Sequence, residues 1–383
     1  MHPMLKPALR RAWRNLHSVQ FGATPAHAVV VGPVDTATGS LLGLLDGTRG
    51  MERLRGEARA LGLPDGLLKR LLGRLAQAGL IADGSAGRPG KAGAATPEDG
   101  ALDPLRADLA SLSVIHQEPD GALRRLAARR ALRVQVRGAG RVGASVAALL
   151  SASGVGRVEV LDSGSVEPWE VAPGGLPTEA VGERRAVAAR RLVGRSAPGG
   201  RAPRAAGREP GEGGREPALS LVVVTPRDGL AAYLPDPVLA ESWITTGTPH
   251  LYAGVLEATG FVGPLVLPGG TACAGCVQEA RTDRDPVWPR MLAQWRSGAP
   301  DALPACDLGL ATAVAGLAAA HALAFLDGEL PASTGGRFEA SLPLLEWRAE
   351  RMGPHPACPC GAVRRAEGER DVEASTPQDT MAG

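Results

Sequence analysis

Residues 133–162 read RVQVRGAGRVGASVAALLSASGVGRVEVLD, and the reading of this stretch decides the fold. Residues 132–136 form a short apolar-rich run bounded by a glycine turn, the pattern of a buried strand. Gly138, Gly140 and Gly143 follow at the spacing GxGxxG. In such a loop the first glycine permits the tight turn. The second lets the backbone approach a phosphate, and the third lets helix and strand pack closely. The helix expected over 143–153 would offer unpaired N–H groups and a partial positive charge to an anion. A second strand, 157–161, leads to Asp162, where a ribose-binding carboxylate belongs. The unit predicts nucleotide binding. By itself it serves NAD, FAD or ATP equally, and a glycine-rich turn that binds nothing is the bland alternative.

Strands and helices alternate outward from this unit. A helix is expected over 183–193. Residues 219–225 are an apolar run typical of a buried parallel strand, and 250–256 and 260–267 read as later strands. The pattern predicts an α/β domain over 102–364, a Rossmann-like, mostly parallel sheet with helices on both faces. A Pro/Gly/Arg/Glu-rich insert at 197–217 interrupts it and is expected to be disordered. Upstream, a short strand at 28–31 precedes helices at 38–45 and 51–61. A third helix starts at Pro64, with Leu67, Leu68, Leu71, Leu72 and Leu75 at helical spacing, and a closing strand follows at 80–81. Residues 1–82 therefore predict a small winged-helix-like α+β module. Residues 83–101 read as a flexible linker, and 365–383 as a disordered tail.

The chain has 383 residues, 44% of them hydrophobic, and a net charge of +2. That charge is too balanced to argue for nucleic acid by electrostatics. Residues 308–326 carry no formal charge and approach the ~20 residues that span a bilayer. They are rich in Ala and Gly, contain His321, and lie between Asp307 and Asp327. The expectation is a helix packed on a sheet, not a membrane span. Residues 1–21 lack the apolar core of a secretion signal, so the expected compartment is the cytoplasm, with no membrane partner.

Of the five cysteines, four form two close pairs, Cys273 with Cys276 and Cys358 with Cys360. In a cytosolic protein two such pairs in turn-rich sequence suggest structural Zn2+ on four thiolates. The second pair has only one intervening residue, so His355 is a substitute ligand to weigh. A redox CxxC is the other reading. The fifth, Cys306, reads as a small buried hydrophobe, or as a nucleophile primed by the helix start at Asp307.

The glycine loop, Asp162, and then the Cys273/Cys276 and Cys358/Cys360 pairs occur in one order. That combination resembles the ThiF/MoeB-type, ubiquitin-activating-like adenylyltransferases over about residues 102–361. Further matching segments are Val166-Glu167 after the second strand, Val181-Gly182 before the helix, and Gly263 to Pro268 leading to Cys273. The resemblance implies ATP and Mg2+ as cofactors and a Gly138/Gly140/Gly143/Asp162 nucleotide site. It implies adenylation of the carboxylate of a small carrier protein or precursor peptide, and a homodimer. The chain departs from the family pattern at several points. Gly164 stands where a second Asp is usual, and Pro168 begins the segment that should bring an arginine. Arg184 or Arg185 replaces a lysine. Asp228 is displaced from the strand end where a metal-binding Asp is expected. Arg185 and Asp228 are thus the catalytic candidates. Residues 19–22, 44–47 and 75–80 resemble the peptide-recognition winged helix of ribosomal-peptide modification proteins, which implies leader-peptide binding and a YcaO-type partner enzyme. The alternatives are a catalytically degenerate ThiF-like scaffold that binds a leader peptide for a partner enzyme, and a nicotinamide- or flavin-dependent oxidoreductase.

Overall fold

A computed structural model describes residues 1–84, 103–118, 120–199, 218–297 and 303–362. The expected tail, and most of the expected insert and linker, lie outside the described residues. The chain divides into two compact units, Met1–Ala128 and Arg129–Gly383.

The first unit opens with strands that the sequence reading did not find: β1 (Pro3–Leu5), β2 (Arg11–Asn15) and β3 (Ser18–Phe21). All of β2 is exposed, so it lacks the apolar alternation that marks a half-buried strand, and β1 and β3 are only three and four residues long, too short for a period to show. β4 (Val29–Val31) was anticipated, as were α1 (Thr36–Gly43), α2 (Met51–Ala60), α3 (Leu67–Gln77) and β5 (Ile81–Asp83). Asp35 caps α1 by accepting from the Thr38 N–H at 2.7 Å. Leu68, Leu71, Leu72 and Leu75 of α3 bury one stripe against Leu41, Leu42 and Leu54. Strands β2, β3 and β4 form one antiparallel sheet in that order, and β1 pairs with β5 in a second. The unit continues through α4 (Arg106–Ile115) into α5 (Gly121–Arg129), so the division falls later than residue 102. One tie holds α4 in place: the buried Lys6 Nζ donates to the Ser113 carbonyl.

The second unit is built on a seven-stranded sheet. Its members are β6 (Arg133–Arg137), β7 (Arg157–Leu161), β8 (Leu221–Val224), β9 (His250–Leu256), β10 (Thr259–Val266), β11 (Gly336–Ser341) and β12 (Arg348–Arg351). Their order is β12-β11-β10-β9-β8-β6-β7. β7, β6, β8 and β9 run parallel, and β10, β11 and β12 extend the sheet as an antiparallel meander. Val134, Val136, Leu221 and Val223 are fully buried, as expected of central parallel strands.

Helices cover both faces. On one lie α6 (Arg141–Ala152) and α12 (Leu308–Leu326), whose Leu310, Ala311, Val314, Ala315, Ala318 and Ala322 share a core with β6, β8, β9 and β10. Helix α12 is long and apolar enough to cross a membrane, but here it packs on the sheet, as the sequence reading expected. A Cβ on Gly260 would stand 2.6 Å from Val314 and 2.7 Å from Leu310, which is how closely α12 approaches β10. On the other face lie α8 (Leu230–Tyr233), α9 (Pro237–Thr245) and α10 (Ala274–Arg284). Helix α7 (Arg185–Ser196) packs beside α6, and α11 (Trp288–Ser297) follows α10.

Candidate nucleotide and metal sites

Gly138 follows β6 with φ +112°, and a Cβ there would lie 1.9 Å from the Thr225 carbonyl oxygen at the end of β8. A Cβ on Gly143 would lie 2.1 Å from the Gly138 carbonyl. Both glycines are therefore imposed by the close approach of loop, helix and neighbouring strand. Gly140 differs: its φ is −74°, and an added Cβ would meet Arg227 Cγ at 3.3 Å. Its side is kept clear for the Arg227 stem. No side chain caps α6, so the first-turn N–H groups remain available to an anion. Gly138→Ala is expected to cost roughly 1–3 kcal/mol through overpacking and backbone strain. Chemical denaturation checks this, with Gly316→Ala, on open surface inside helix α12, as a control expected to stabilise by up to about 1 kcal/mol.

Asp162 is where the sequence placed it, but it is not a free carboxylate. Its Oδ2 accepts from the Ala139 N–H at 2.6 Å, and its Oδ1 accepts from Arg185 Nε at 3.0 Å. It thereby pins the glycine loop to the start of α7. Arg185 is buried, and its guanidinium is fully engaged. Nη1 donates to both Glu170 oxygens, at 3.1 and 3.0 Å, and to the Ser165 carbonyl, while Nη2 donates to the Ser163 carbonyl at 2.7 Å. Burial opposes the Arg185 charge, but the bonds to Glu170 and Asp162 outweigh it and raise its pKa.

Gly164 sits in this nest at φ +82°, and a Cβ there would stand 2.6 Å from Arg185 Nη2. Any side chain at 164 would require the arginine to shift, and the positive φ there favours glycine.

Two residues of this nest were not identified from sequence. Glu170 is buried; besides Arg185 it accepts from the Glu167 N–H and lies 3.5 Å from Arg227 Nη1. Arg227 is about a third exposed (37%), which leaves it the accessible cation beside the glycine loop. Its position after a central parallel strand was the available signal, because ligands gather at the carboxyl ends of such strands. Nothing in the segment around Glu170 signals burial of a carboxylate. Asp228 lies on the same β8–α8 turn, exposed.

The four paired cysteines converge. Cys273 and Cys276 open α10, and their Sγ atoms are 3.8 Å apart. Cys358 Sγ lies 3.6 Å from Cys273, Cys360 Sγ lies 3.5 Å from Cys276, and the four ligand atoms fall within 4.8 Å of one another. A tetrahedral zinc with Zn–S near 2.3 Å needs sulfur separations of about 3.8 Å, so the donor set could hold zinc. His355 is not part of the cluster; its Nε2 faces Asp283 at 2.9 Å and its Nδ1 accepts from the Ala357 N–H. The single-residue spacing of the second pair is thus accommodated. A hydrogen bond from Cys273 pulls the Cys276 thiol down to about 4, and the same contact, with burial, pushes Cys273 up. Thiols bind a divalent metal as thiolates, so metal binding at this cluster would release their protons. Cys306 is different: burial raises its thiol, which speaks against a primed nucleophile, and its carbonyl accepts from Arg141 Nη1 at 2.6 Å.

The ThiF family profile matches residues 117–360, which span the loop, the Arg185 nest and both cysteine pairs. The chain belongs to the ThiF family. Its fold is also that of solved structures at low identity. Escherichia coli MccB, solved with AMPCPP and MccA, is 15% identical over 94% of this ThiF-family chain and 100% of its own, with a TM-score of 0.66. MccB solved with ATP covers the same shares at 15% identity and a TM-score of 0.64. PaaA is 14% identical over 91% of this chain and 99% of its own, with a TM-score of 0.64. No curated protein matches the chain by sequence.

Proposed function

We propose that the protein uses ATP to adenylate the carboxylate of a peptide in peptide natural-product modification. The observation that carries this is the glycine loop and uncapped α6 beside Arg227, in a ThiF-family domain whose structural neighbours are solved with nucleotide and with MccA. In this reading a substrate carboxylate oxygen attacks the α-phosphorus. The bond from that phosphorus to the bridging oxygen breaks, pyrophosphate leaves, and a mixed anhydride remains. The α6 amides and Arg227 stabilise charge on the phosphates, the largest lever in such chemistry. Each Asp162 oxygen keeps a lone pair for a ribose hydroxyl. Arg185, fully engaged within the chain, acts as a positioning residue through Asp162. Asp228, exposed beside the loop, is the carboxylate for Mg2+. The four thiolates hold one structural zinc.

The first unit would recruit the peptide. β4 pairs with β3 on one side only, so among the described residues it is an edge strand, and Val30 on it is 48% exposed. An extended peptide can add there as a further strand. Val30→Pro is expected to weaken peptide binding at least ~10-fold, the worth of a lost strand hydrogen bond or two, with zinc content unchanged. Fluorescence anisotropy with peptides encoded by neighbouring genes checks this. The same peptides should support ATP–pyrophosphate exchange. Tight binding without exchange under any condition would sink adenylation and leave the second reading, which the internally spent Arg185 favours: a non-catalytic scaffold presenting the peptide to a partner such as a YcaO-type enzyme. A homodimer is expected from the family, and sedimentation checks it.

A further inference from the structure

The carboxyl ends of the parallel strands carry a second feature, two strands along from the glycine loop. A cavity of about 630 Å³ opens where β8 leads into α8 and where β9 ends, lined by Leu230, Tyr233, Leu256, Arg281, Trp288 and Trp295. It shares the β8–α8 turn with the nucleotide loop. Arg227 leans on Gly140 from that turn, and Gly229, three residues before Ala232, is pressed onto β9: a Cβ there would meet the Val255 carbonyl at 2.1 Å. The volume suits one or two amino-acid residues.

Charged side chains line it as well, Arg281 and Arg284 together with Glu257, Asp285 and Glu350. Arg281 stacks on Tyr233 at 5.1 Å and on Trp288 at 4.8 Å, and has no carboxylate partner among the described residues. Arg337, fully buried, stacks on the same Tyr233 ring at 4.6 Å, and its Nε has no hydrogen-bond partner. Glu339, 3.3 Å from Arg337, is the single carboxylate among the described residues paired with these two guanidiniums. The other acids at the cavity are engaged or exposed: Asp285 accepts from the Val287 N–H, Glu350 pairs with Arg284, and Glu257 is exposed on the β9–β10 turn. A guanidinium stacked on rings keeps its N–H edge free for a carboxylate in bidentate geometry.

We propose that this cavity receives an acidic side chain of the substrate peptide, near the carboxylate to be activated, with Arg281 as its specificity-determining contact. The assignment rests on the peptide-adenylating reading for its biological meaning, and its test does not. The probes are two blocked tripeptides, acetyl-Ala-Glu-Ala-amide and acetyl-Ala-Gln-Ala-amide, titrated to about 20 mM against the full chain while the fluorescence of Trp288 and Trp295 is followed. The glutamate peptide is expected to bind at least ~10-fold more tightly than the glutamine peptide, as a charge-assisted pair exceeds a neutral one. Arg281→Met is expected to erase that preference and Arg281→Lys to restore part of it. Equal binding of the two peptides, or no saturable binding of either, overturns the proposal without any variant having to fold. Glutamate preference without ATP–pyrophosphate exchange keeps the cavity assignment and removes adenylation. Exchange with a peptide but no glutamate preference does the reverse.

Discussion

Chelation of the purified protein is expected to release one zinc per chain and to unfold the sheet's metal-bearing face. The four Sγ atoms lie within 4.8 Å of one another, so the ligand set is assembled only when both pairs are in place. Apparent zinc affinities for such sites are about 10–16 kcal/mol, against total stabilities of about 5–15 kcal/mol. The cluster is also part of a core: Cys273 and Cys276 pack with Tyr252, Phe261 and Val266, and Met352, Cys358 and Cys360 close over it. Losing the metal removes what joins the two pairs and frees the segment that carries Cys358 and Cys360. Metal analysis should therefore give one zinc in the wild type and none in Cys276→Ser. Limited proteolysis should cut after Arg348 or Arg351 only in the stripped protein. Cys306→Ser, outside the cluster, should keep its metal. Unchanged melting after complete metal removal would show that the thiols pack as plain hydrophobes.

The second large effect is expected at Glu170. Glu170→Ala leaves the Arg185 guanidinium buried with one carboxylate instead of two, since Asp162 remains and Glu170 had engaged Nη1 with both oxygens. Removing one member of a buried ion pair costs about 3–5 kcal/mol. For a unit of this size that is a melting temperature lower by roughly 10 °C. Because Asp162 also accepts from the Ala139 N–H, the loosened arginine is expected to free the glycine loop and weaken ATP binding. Double-mutant cycles with Arg185→Met separate the pair from the surrounding carbonyl bonds. A double variant more stable than either single one is the predicted pattern. If Glu170→Ala melts within a degree of the wild type, the nest is not what holds the loop.

The sheet was legible from sequence where its strands are fully buried. Residues 250–256 match β9 because an apolar run bounded by turns leaves few alternatives, while 157–161 match the partly buried edge strand β7 through the alternation of Val158 and Val160 with charged residues. β11 and β12 were not found: β12 is exposed throughout and β11 carries Arg337 and Glu339, so neither shows a strand's period. At the site, glycine spacing and cysteine pairing carried over into geometry directly, since both are local constraints. Glu170 and Arg227 did not, because their roles arise from approaches between separate segments: Arg185 lies fifteen residues from Glu170, and Arg227, after β8, meets Gly140, after the neighbouring strand β6. Pair spacing gave no warning that Asp162 would be spent on Ala139 and Arg185.

The cysteine cluster also sets a schedule for biosynthesis. Cys276 and Cys360 are 84 residues apart. At roughly 5–20 residues per second, ribosomes need about 4–17 s to travel between them. If the four thiols hold a metal, Cys273 and Cys276 wait through that interval with half of the donor set. They are then open to air oxidation, to stray copper or iron, and to premature capture of zinc by another chain. On that reading, yield in a heterologous host is expected to follow zinc supply and reducing power during translation more closely than folding temperature.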